Sequence, residues 1–454
     1  MTQVTQFNMR ISEASRVLSA NYLGDDVLLD GVSTDTRSLS GGELFIALRG
    51  PNFDGHDYVS QAMEKGAVAV MVDHEMDLAI PQLIVSDTRL AMGELARAWR
   101  QKFNIPVLAV TGSNGKTTVK EMLASIMSGL GEVHATKGNL NNDIGVPLTL
   151  FKLGGQHQSA VIEMGANHPG EIAYLVSIAK PDVAIITNAA DAHLEGFGSL
   201  EGVAKAKGEI YTGLSSDGIA IVNADDRFAA LWRDLIKPRQ KFEFGLENDC
   251  DVSAEFKPTV NGNETIVKTN KKEIKISLPL LGKHNVMNAL AATAAALAAN
   301  VAPDIIKQGL ENMQAVPGRL QAKHGVHGSR VIDDTYNANP ASVKAAIGVL
   351  QGFAGDHFLA LGDMGELGRG EEELHRQVGQ EARQQGVDRL YTLGELAKYA
   401  AHEFGEHAYS FDAHESMVAA LNKDLHKEAT LLVKGSRRMH MERVVEALTI
   451  EKGA

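Results

Sequence analysis

The chain has 454 residues, 44% of them hydrophobic and 22% charged, which describes a globular protein too long for one core and suggests about three domains. Its 44 Lys and Arg against 57 Asp and Glu give a net charge of -13, so a nucleic-acid partner is not expected and anionic ligands must be met by local clusters of positive charge. The lone Cys250 rules out an intramolecular disulfide, the first ten residues lack an apolar signal core, and the Ala-rich run 288–302 is too short to span a bilayer; a cytoplasmic protein without membrane insertion is expected.

Residues 1–105 alternate strand-like runs at 44–47, 68–72 and 83–85 with helical ones at 58–65 and 90–102, and read as an α/β domain. Their most polar stretch is Ser33-Thr34-Asp35-Thr36-Arg37-Ser38, close to the Gly41-Gly42 turn and to Asp54-Gly55-His56. Hydroxyls and an Arg beside Gly turns either hold a diphosphate or make a solvated loop.

A second domain, 106–315, opens on the apolar run Val107-Leu108-Ala109-Val110, then Thr111-Gly112-Ser113-Asn114-Gly115-Lys116-Thr117-Thr118, then a helical pattern. Gly112 and Gly115 let successive N–H groups turn toward one point, and the helix start adds partial positive charge. Lys116 would neutralise the β- and γ-phosphates of ATP, and the Thr117 hydroxyl would reach Mg2+. Only the Gly-x-x-Gly-Lys-Thr half of the general phosphate-loop pattern is met, because Val110 stands where its first Gly belongs.

Further strands are expected at 160–163 and 183–188 and helices at 171–179 and 200–214; alternation of this kind implies a parallel sheet with ligands at its carboxyl ends. Glu163 and His193 fall at or beyond such ends, either as ligands of a second Mg2+ or as a surface carboxylate and a packed loop His. Lys207 reads as a surface charge, since an ordinary Lys is a cation and cannot ligate a metal. Residues 241–280 suggest a small antiparallel patch. Helices are expected at 285–299 and 304–313, where Asn285 either caps the first or lines an adenine edge with His284.

From 316 to 454, strands at 331–334, 358–361, 389–393 and 431–433 alternate with helices at 342–350, 371–385, 395–404 and 439–448. This is a Rossmann-like doubly wound domain without the Gly-x-Gly-x-x-Gly fingerprint of a dinucleotide cofactor. Gly362-Asp363-Met364-Gly365-Glu366 and Lys434-Gly435-Ser436-Arg437 are either substrate-reading segments or plain strand-end loops.

The loop 111–118, Asn139-Leu140-Asn141-Asn142, Glu163-Met164-Gly165-Ala166-Asn167, Thr187-Asn188 with His193-Leu194-Glu195, Lys207, Gly282-Lys283-His284-Asn285 with Asn288, Pro317-Gly318-Arg319 and Asp333-Asp334 together resemble the Mur ligases in order and spacing. Ser113 stands where many loops of that family have Thr, and keeps the hydroxyl. The segment Asp334-Thr335-Tyr336-Asn337-Ala338-Asn339-Pro340, and the absence of an Asp-Asn-Pro-Arg motif, are most similar to the member that adds D-alanyl-D-alanine to UDP-N-acetylmuramoyl-tripeptide. The alternatives are another Mur-type or folylpolyglutamate-type ligase, or a silent nucleotide-binding relative.

The resemblance implies three domains: an N-terminal UDP-binding domain, a central ATPase-like parallel sheet, and a C-terminal domain that brings the dipeptide and closes over ATP. It implies that residues 112–118, His284, Asn285, Asn288, Arg319 and Asp334 bind ATP, with Arg319 on the γ-phosphate and Asp334 on the ribose. Thr117, Glu163, His193 and Lys207 would hold two Mg2+ ions, Lys207 as a carbamylated lysine. Lys116, Asn142, His193 and Lys207 would form the catalytic set, and Ser33, Thr34, Thr36 and Arg37 would meet the UDP part. The expected partners are these small molecules alone, and the expected state is a monomer.

Overall fold

Three sheets carry the chain, in a computed structural model that describes residues 6–450 apart from 191–193, 271 and 369. The first has five strands in the order Asn21–Leu23, Gln82–Ile84, Ala69–Val72, Glu43–Ile46, Gly31–Ser33, parallel except for its Asn21–Leu23 edge.

The second sheet has nine strands. Val107–Thr111 lies between Ser159–Glu163 and Val183–Ile186, parallel to both, and Val133–Ala135 closes one edge. Ile219–Asn223, Gln240–Phe244 and Val252–Thr259 extend the other side in parallel, and Gly262–Thr269 and Glu273–Leu278 add antiparallel pairs. The expected antiparallel patch is therefore the continuation of the main sheet rather than a separate layer. Its first segment, Gln240–Phe244, pairs in parallel, because the helix Ala229–Ile236 returns the chain to run alongside Ile219–Asn223.

The third sheet runs Gln321–His324, Arg330–Asp334, Ala429–Lys434, Asp356–Gly362, Arg389–Leu393, Ala408–Phe411, parallel except for its first pair. Separate apolar clusters cover its two faces, Leu359 and Leu432 on one and Phe358 and Leu431 on the other, as a doubly wound fold requires.

Alternation does the same work in the central sheet. Val107 and Ala109 face one cluster, Leu108 and Val110 the other, so each residue of this fully buried strand serves a core on one side. The cluster under Val107 and Ala109 is continuous with the N-terminal core through Trp99, which is fully buried between Phe7 and Phe103 and donates its indole N–H to Leu153 O at 3.2 Å. The N-terminal unit is thus packed onto the central one, and the ion pair Arg89–Asp143 at 2.6 Å joins them at the surface.

His134, in the edge strand Val133–Ala135, is 7% exposed and its Nε2 lies 2.7 Å from Thr149 O. Burial pulls its pKa down to about 4, so the imidazole is neutral in the fold. Between about pH 6.5 and 4 the unfolded chain takes up a proton that the folded one refuses, so stability is lost as pH falls through that window. We expect the loss to reach roughly 3 kcal/mol from this group, read as a falling Tm on acidification that His134→Gln flattens.

Candidate active site

The strand Val107–Thr111 delivers the chain to the loop 112–115 at the carboxyl edge of the central sheet, and the helix Lys116–Ser128 leaves from it. Gly115 turns at φ +82, where a Cβ would lie 2.4 Å from Asn288 Oδ1; at Gly112 (φ +151) it would lie 1.8 Å from Thr187 Oγ1. Side chains are excluded at both positions, at Gly115 by the helix Lys283–Ala298 and at Gly112 by the segment after Val183–Ile186, to which the loop is clamped. Ser113 N–H donates to Asn188 O at 3.0 Å, Asn114 N–H to Asn188 Oδ1 at 3.0 Å, and Thr187 Oγ1 to Asn114 O at 2.6 Å. Asn223 Nδ2 and the half-buried Asp226 carboxylate hold that segment from behind, at 2.8 Å from Thr187 O and from Ala189 N. Left-handed backbone costs a residue with a side chain roughly 1–2 kcal/mol, so Gly115→Ala is expected to weaken ADP binding about tenfold by calorimetry.

Lys116 Nζ folds back over the loop and donates to Gly112 O at 2.8 Å. Desolvation lowers its pKa, with Glu163 opposing and Arg319 adding to the shift. Glu163 ends the strand Ser159–Glu163 and is 2% exposed; its Oε1 accepts from Asn141 Nδ2 at 2.8 Å. Its Oε2 is buried and has no hydrogen-bond partner. An ionised oxygen left unpaired in the interior is costly unless a cation meets it, so this donor, with the Thr117 hydroxyl nearby in the same cavity, fits a hard divalent ion.

Lys207 is not the surface charge expected of it. It is 2% exposed on the helix Leu200–Thr212, its Nζ 5.9 Å from the Phe197 ring, and among the described residues it has neither hydrogen-bond nor ion-pair partner. Burial, and secondly the charge of Lys116, hold its pKa well below the usual lysine range. Lys205, two residues earlier, is the exposed one and pairs with Glu201 at 2.7 Å.

The C-terminal domain supplies the opposite wall. Arg319 lies 4.2 Å over the Tyr336 ring, and its Nη2 donates to Thr117 Oγ1 at 3.2 Å. Asn339 caps the helix Pro340–Leu350 with its Oδ1 and reaches Asn114 Oδ1 with its Nδ2 at 2.8 Å. Asp334 Oδ2 accepts from the buried Lys434 at 2.6 Å; burial still raises the Asp334 pKa, more than Lys434 and Arg319 lower it. His284 is held to a pKa of about 4 by burial and by Lys434, and so presents a neutral ring.

Asn285 does not cap its helix. Lys283–Ala298 starts on Gly282 without a side-chain cap, while Asn285 donates to Leu281 O at 2.8 Å and accepts from Asn288 Nδ2 at 3.0 Å. The exposed Asn142 accepts through its Oδ1 from Gly145 N–H at 2.8 Å, where the next helix begins.

A cavity of about 740 Å³ gathers residues 113–118, Asn142, Glu163, Lys207, His284, Asn285, Asn288, Arg319 and Asp334 around one space. His193 lies outside the described residues. The four residues expected at UDP lie elsewhere, at the carboxyl edge of the five-stranded sheet. Ser33 Oγ donates to Asp35 O at 3.0 Å, Thr36 Oγ1 to Gln61 Oε1 at 2.6 Å, and Arg37 grips Asp35 with Nη2 at 2.7 Å, drawing that carboxyl down to about 2; Thr34 is half-buried beside them. Asn223 and Asp226 escaped the sequence reading, although a polar run after the apolar strand Ile219–Asn223 marks a strand end in the same way as Glu163.

Three family models match in succession: Mur ligase family, catalytic domain, over residues 29–129; Mur ligase middle domain over 110–296; and Mur ligase, glutamate ligase domain, over 318–437. The UDP-N-acetylmuramoyl-tripeptide–D-alanyl-D-alanine ligase of Escherichia coli K12 is 45% identical over 97% of this chain and 98% of its own length. The chain belongs to the Mur ligase family. Among solved members, a crystal structure of MurF from Acinetobacter baumannii superposes with a TM-score of 0.93 at 36% identity, covering 98% of this chain and 99% of that one. MurF from Thermotoga maritima, solved in complex with ADP, superposes with a TM-score of 0.83 at 28% identity over 92% and 96% of the two chains. This Mur ligase has no helix long and apolar enough to cross a membrane among its described residues.

Proposed function

We propose that this Mur ligase joins D-alanyl-D-alanine to UDP-N-acetylmuramoyl-tripeptide, converting ATP to ADP and phosphate, in peptidoglycan precursor synthesis. Full-length identity of 36–45% to ligases of that name in Bacillus subtilis and Escherichia coli supports the substrate pair. The observation that carries the chemistry is the meeting, in one cavity, of a phosphate loop, an unpaired buried carboxylate oxygen on Glu163, and Arg319 and Asp334 from a different domain.

A carboxylate has no good leaving group, so the tripeptide's terminal carboxylate first attacks the γ-phosphorus of ATP and ADP departs. The amine of D-alanyl-D-alanine then attacks the acyl carbon, phosphate leaves, and the amine gives up its proton as the amide forms. Lys116 and the N–H groups of residues 115–118 at the helix start hold the phosphates, and Arg319 meets the charge that develops on the γ-phosphoryl group. Thr117, Glu163, His193 and Lys207 are the residues that would hold two Mg2+ ions, whose chemistry there is to offset repulsion between ATP and an anionic acceptor. Asn142 belongs to the same catalytic set, its Oδ1 held by Gly145 N–H and its Nδ2 the group left to face the acyl oxygen. His284, Asn285 and Asn288 take the adenine side, and Asp334, oriented by Lys434, the ribose.

The carbamate on Lys207 is part of this reading. A neutral buried amine adds carbon dioxide through its nitrogen and gives up a proton to solvent, and the product is an anion placed where no carboxylate among the described residues pairs with the lysine. Units 1–105, 106–315 and 316–454 act as UDP-binding, ATP-binding and dipeptide-bringing parts of a cytoplasmic monomer, the first through Ser33, Thr34, Thr36 and Arg37. Phosphate release tests the whole: it should require UDP-N-acetylmuramoyl-tripeptide and rise to full rate only when D-alanyl-D-alanine is added. Release indifferent to the dipeptide would reduce the protein to an ATPase.

A further inference from the structure

At the carboxyl edge of the five-stranded sheet, two imidazoles and two carboxylates crowd around one point, and none of them lines the nucleotide cavity. His56, 7% exposed, sits in the 3-10 turn Gly55–Tyr58, while Asp73 and His74 follow directly on the strand Ala69–Val72. His56 donates through Nδ1 to Asp54 Oδ1 at 2.5 Å, which fixes its tautomer and leaves the Nε2 lone pair facing Asp73, 3.2 Å from both its N–H and its Oδ1. Asp73 Oδ1 is also 2.5 Å from His74 Nδ1, and the two imidazole rings stack with centroids 5.0 Å apart. Arg49 occupies the outer oxygens, lying 2.9 Å from Asp54 Oδ2 and 3.2 Å from Asp73 Oδ2, with Asp73 Oδ1 a longer 3.4 Å away.

We propose that His56 Nε2, Asp73 Oδ1 and a ring nitrogen of His74 form a binding site for one divalent transition-metal ion, such as Zn2+ or Co2+. Their ligating atoms already lie within 4.8 Å of one another. A tetrahedral Zn2+ with ligands at about 2.1 Å needs them roughly 3.4 Å apart, so the His56 to Asp73 separation is in place and only the exposed His74 ring has to swing outward. The ion replaces the weak Asp73 N–H contact to Nε2 and the His74 hydrogen bond to Oδ1. Asp54 stays behind His56, in the carboxylate–histidine–metal relay that orients ligating imidazoles. Two nitrogen donors and one carboxylate select a transition metal over Mg2+ or Ca2+, so the site is chemically distinct from the nucleotide's. Two carboxylates against one guanidinium leave it a net negative charge for a dication to meet. Bound there, the ion ties the hairpin Arg49–Gly50 and Phe53–Asp54 to the end of Ala69–Val72.

The test is Co2+ titration of the full chain in excess Mg2+, followed by visible d–d absorption. One Co2+ per chain with the intense bands of tetrahedral coordination is expected for the unaltered protein. His74→Ala, at a side chain that is 55% exposed and so removable without unfolding, should weaken binding at least about tenfold, and Asp73→Asn likewise. His402→Ala, at a side chain that is 77% exposed on another domain, should leave the isotherm unchanged. Absence of the bands in the unaltered protein, or equal isotherms for it, His74→Ala and Asp73→Asn, overturns the proposal.

Discussion

Lys116→Ala is expected to lower the ligation kcat by about a thousandfold or more while leaving Tm within a few degrees of the parent. The first half follows from position. Lys116 is the first residue of the helix Lys116–Ser128, and its ammonium bends over the loop mouth toward Gly112 O rather than out to solvent. There it is the loop's own cation inside the nucleotide cavity, where a charge on the transferring phosphoryl group is worth more than on the open surface. The second half follows from the sign of its shift. Desolvation outweighs the attraction of Glu163 and lowers the Lys116 pKa, so the folded state bears a cost for keeping that charge, and truncation relieves it. Loss of activity together with a collapse in Tm would mean that the lysine props up the loop instead of serving the phosphates. Lys116→Arg is expected to fail as well, since a planar fork does not fit a place where one ammonium donates to converging carbonyls. Stopped-flow measurement with and without D-alanyl-D-alanine separates the phosphorylation step from amide formation, and both should slow together if phosphorylation limits.

The parallel strands were legible because burial on both faces writes them as unbroken apolar runs; Val107–Thr111, Val183–Ile186 and Asp356–Gly362 stand where those runs lie. Strands lacking such a run were not. Val133–Ala135 is three residues long and centred on a histidine, Gly31–Ser33 offers one apolar side chain, and Ala408–Phe411 is an edge strand with Tyr409 and Ser410 exposed. The site shows the same division. Backbone features announced themselves, since Gly112 and Gly115 occupy positions that admit no Cβ. Side chains whose role depends on a partner domain did not: Asn339 meets Asn114 from 225 residues away, and no spacing rule reaches that far.

Lys207 is the instructive failure. As an ordinary cation it reads as a surface charge, and that description fits Lys205, which pairs with Glu201 across one turn on the solvent side. The helical period held the correction. Val203 and Tyr211, four residues either side of Lys207, and Ala204 and Ile210, three either side, are all buried, so position 207 falls on the inner stripe.

On that stripe an ordinary lysine makes no sense, and its removal is the second large effect to expect: Lys207→Ala should lose at least about a hundredfold in ligation rate and recover part of it when acetate or another short carboxylate is supplied. A buried ammonium with no counter-ion is among the least favourable groups a fold can keep, and burial and Lys116 both press it toward the neutral amine. A neutral amine is the form that adds carbon dioxide, exchanging a stranded cation for a carboxylate in a cavity that already holds Lys116, Arg319 and the unpaired Glu163 oxygen. A free carboxylate diffusing into the hole left by alanine restores the same charge in the same place, which a merely structural lysine would not permit. Lys207→Arg is expected to be inactive and beyond rescue, because a guanidinium stays protonated and fills the space. Labelled bicarbonate gives a readout independent of turnover: a 13C carbamate resonance in the parent that is missing from Lys207→Ala. A fully active alanine variant, or a parent without that resonance whose rate ignores dissolved carbon dioxide, would leave Lys207 as a bare amine and remove it from the proposed metal ligands.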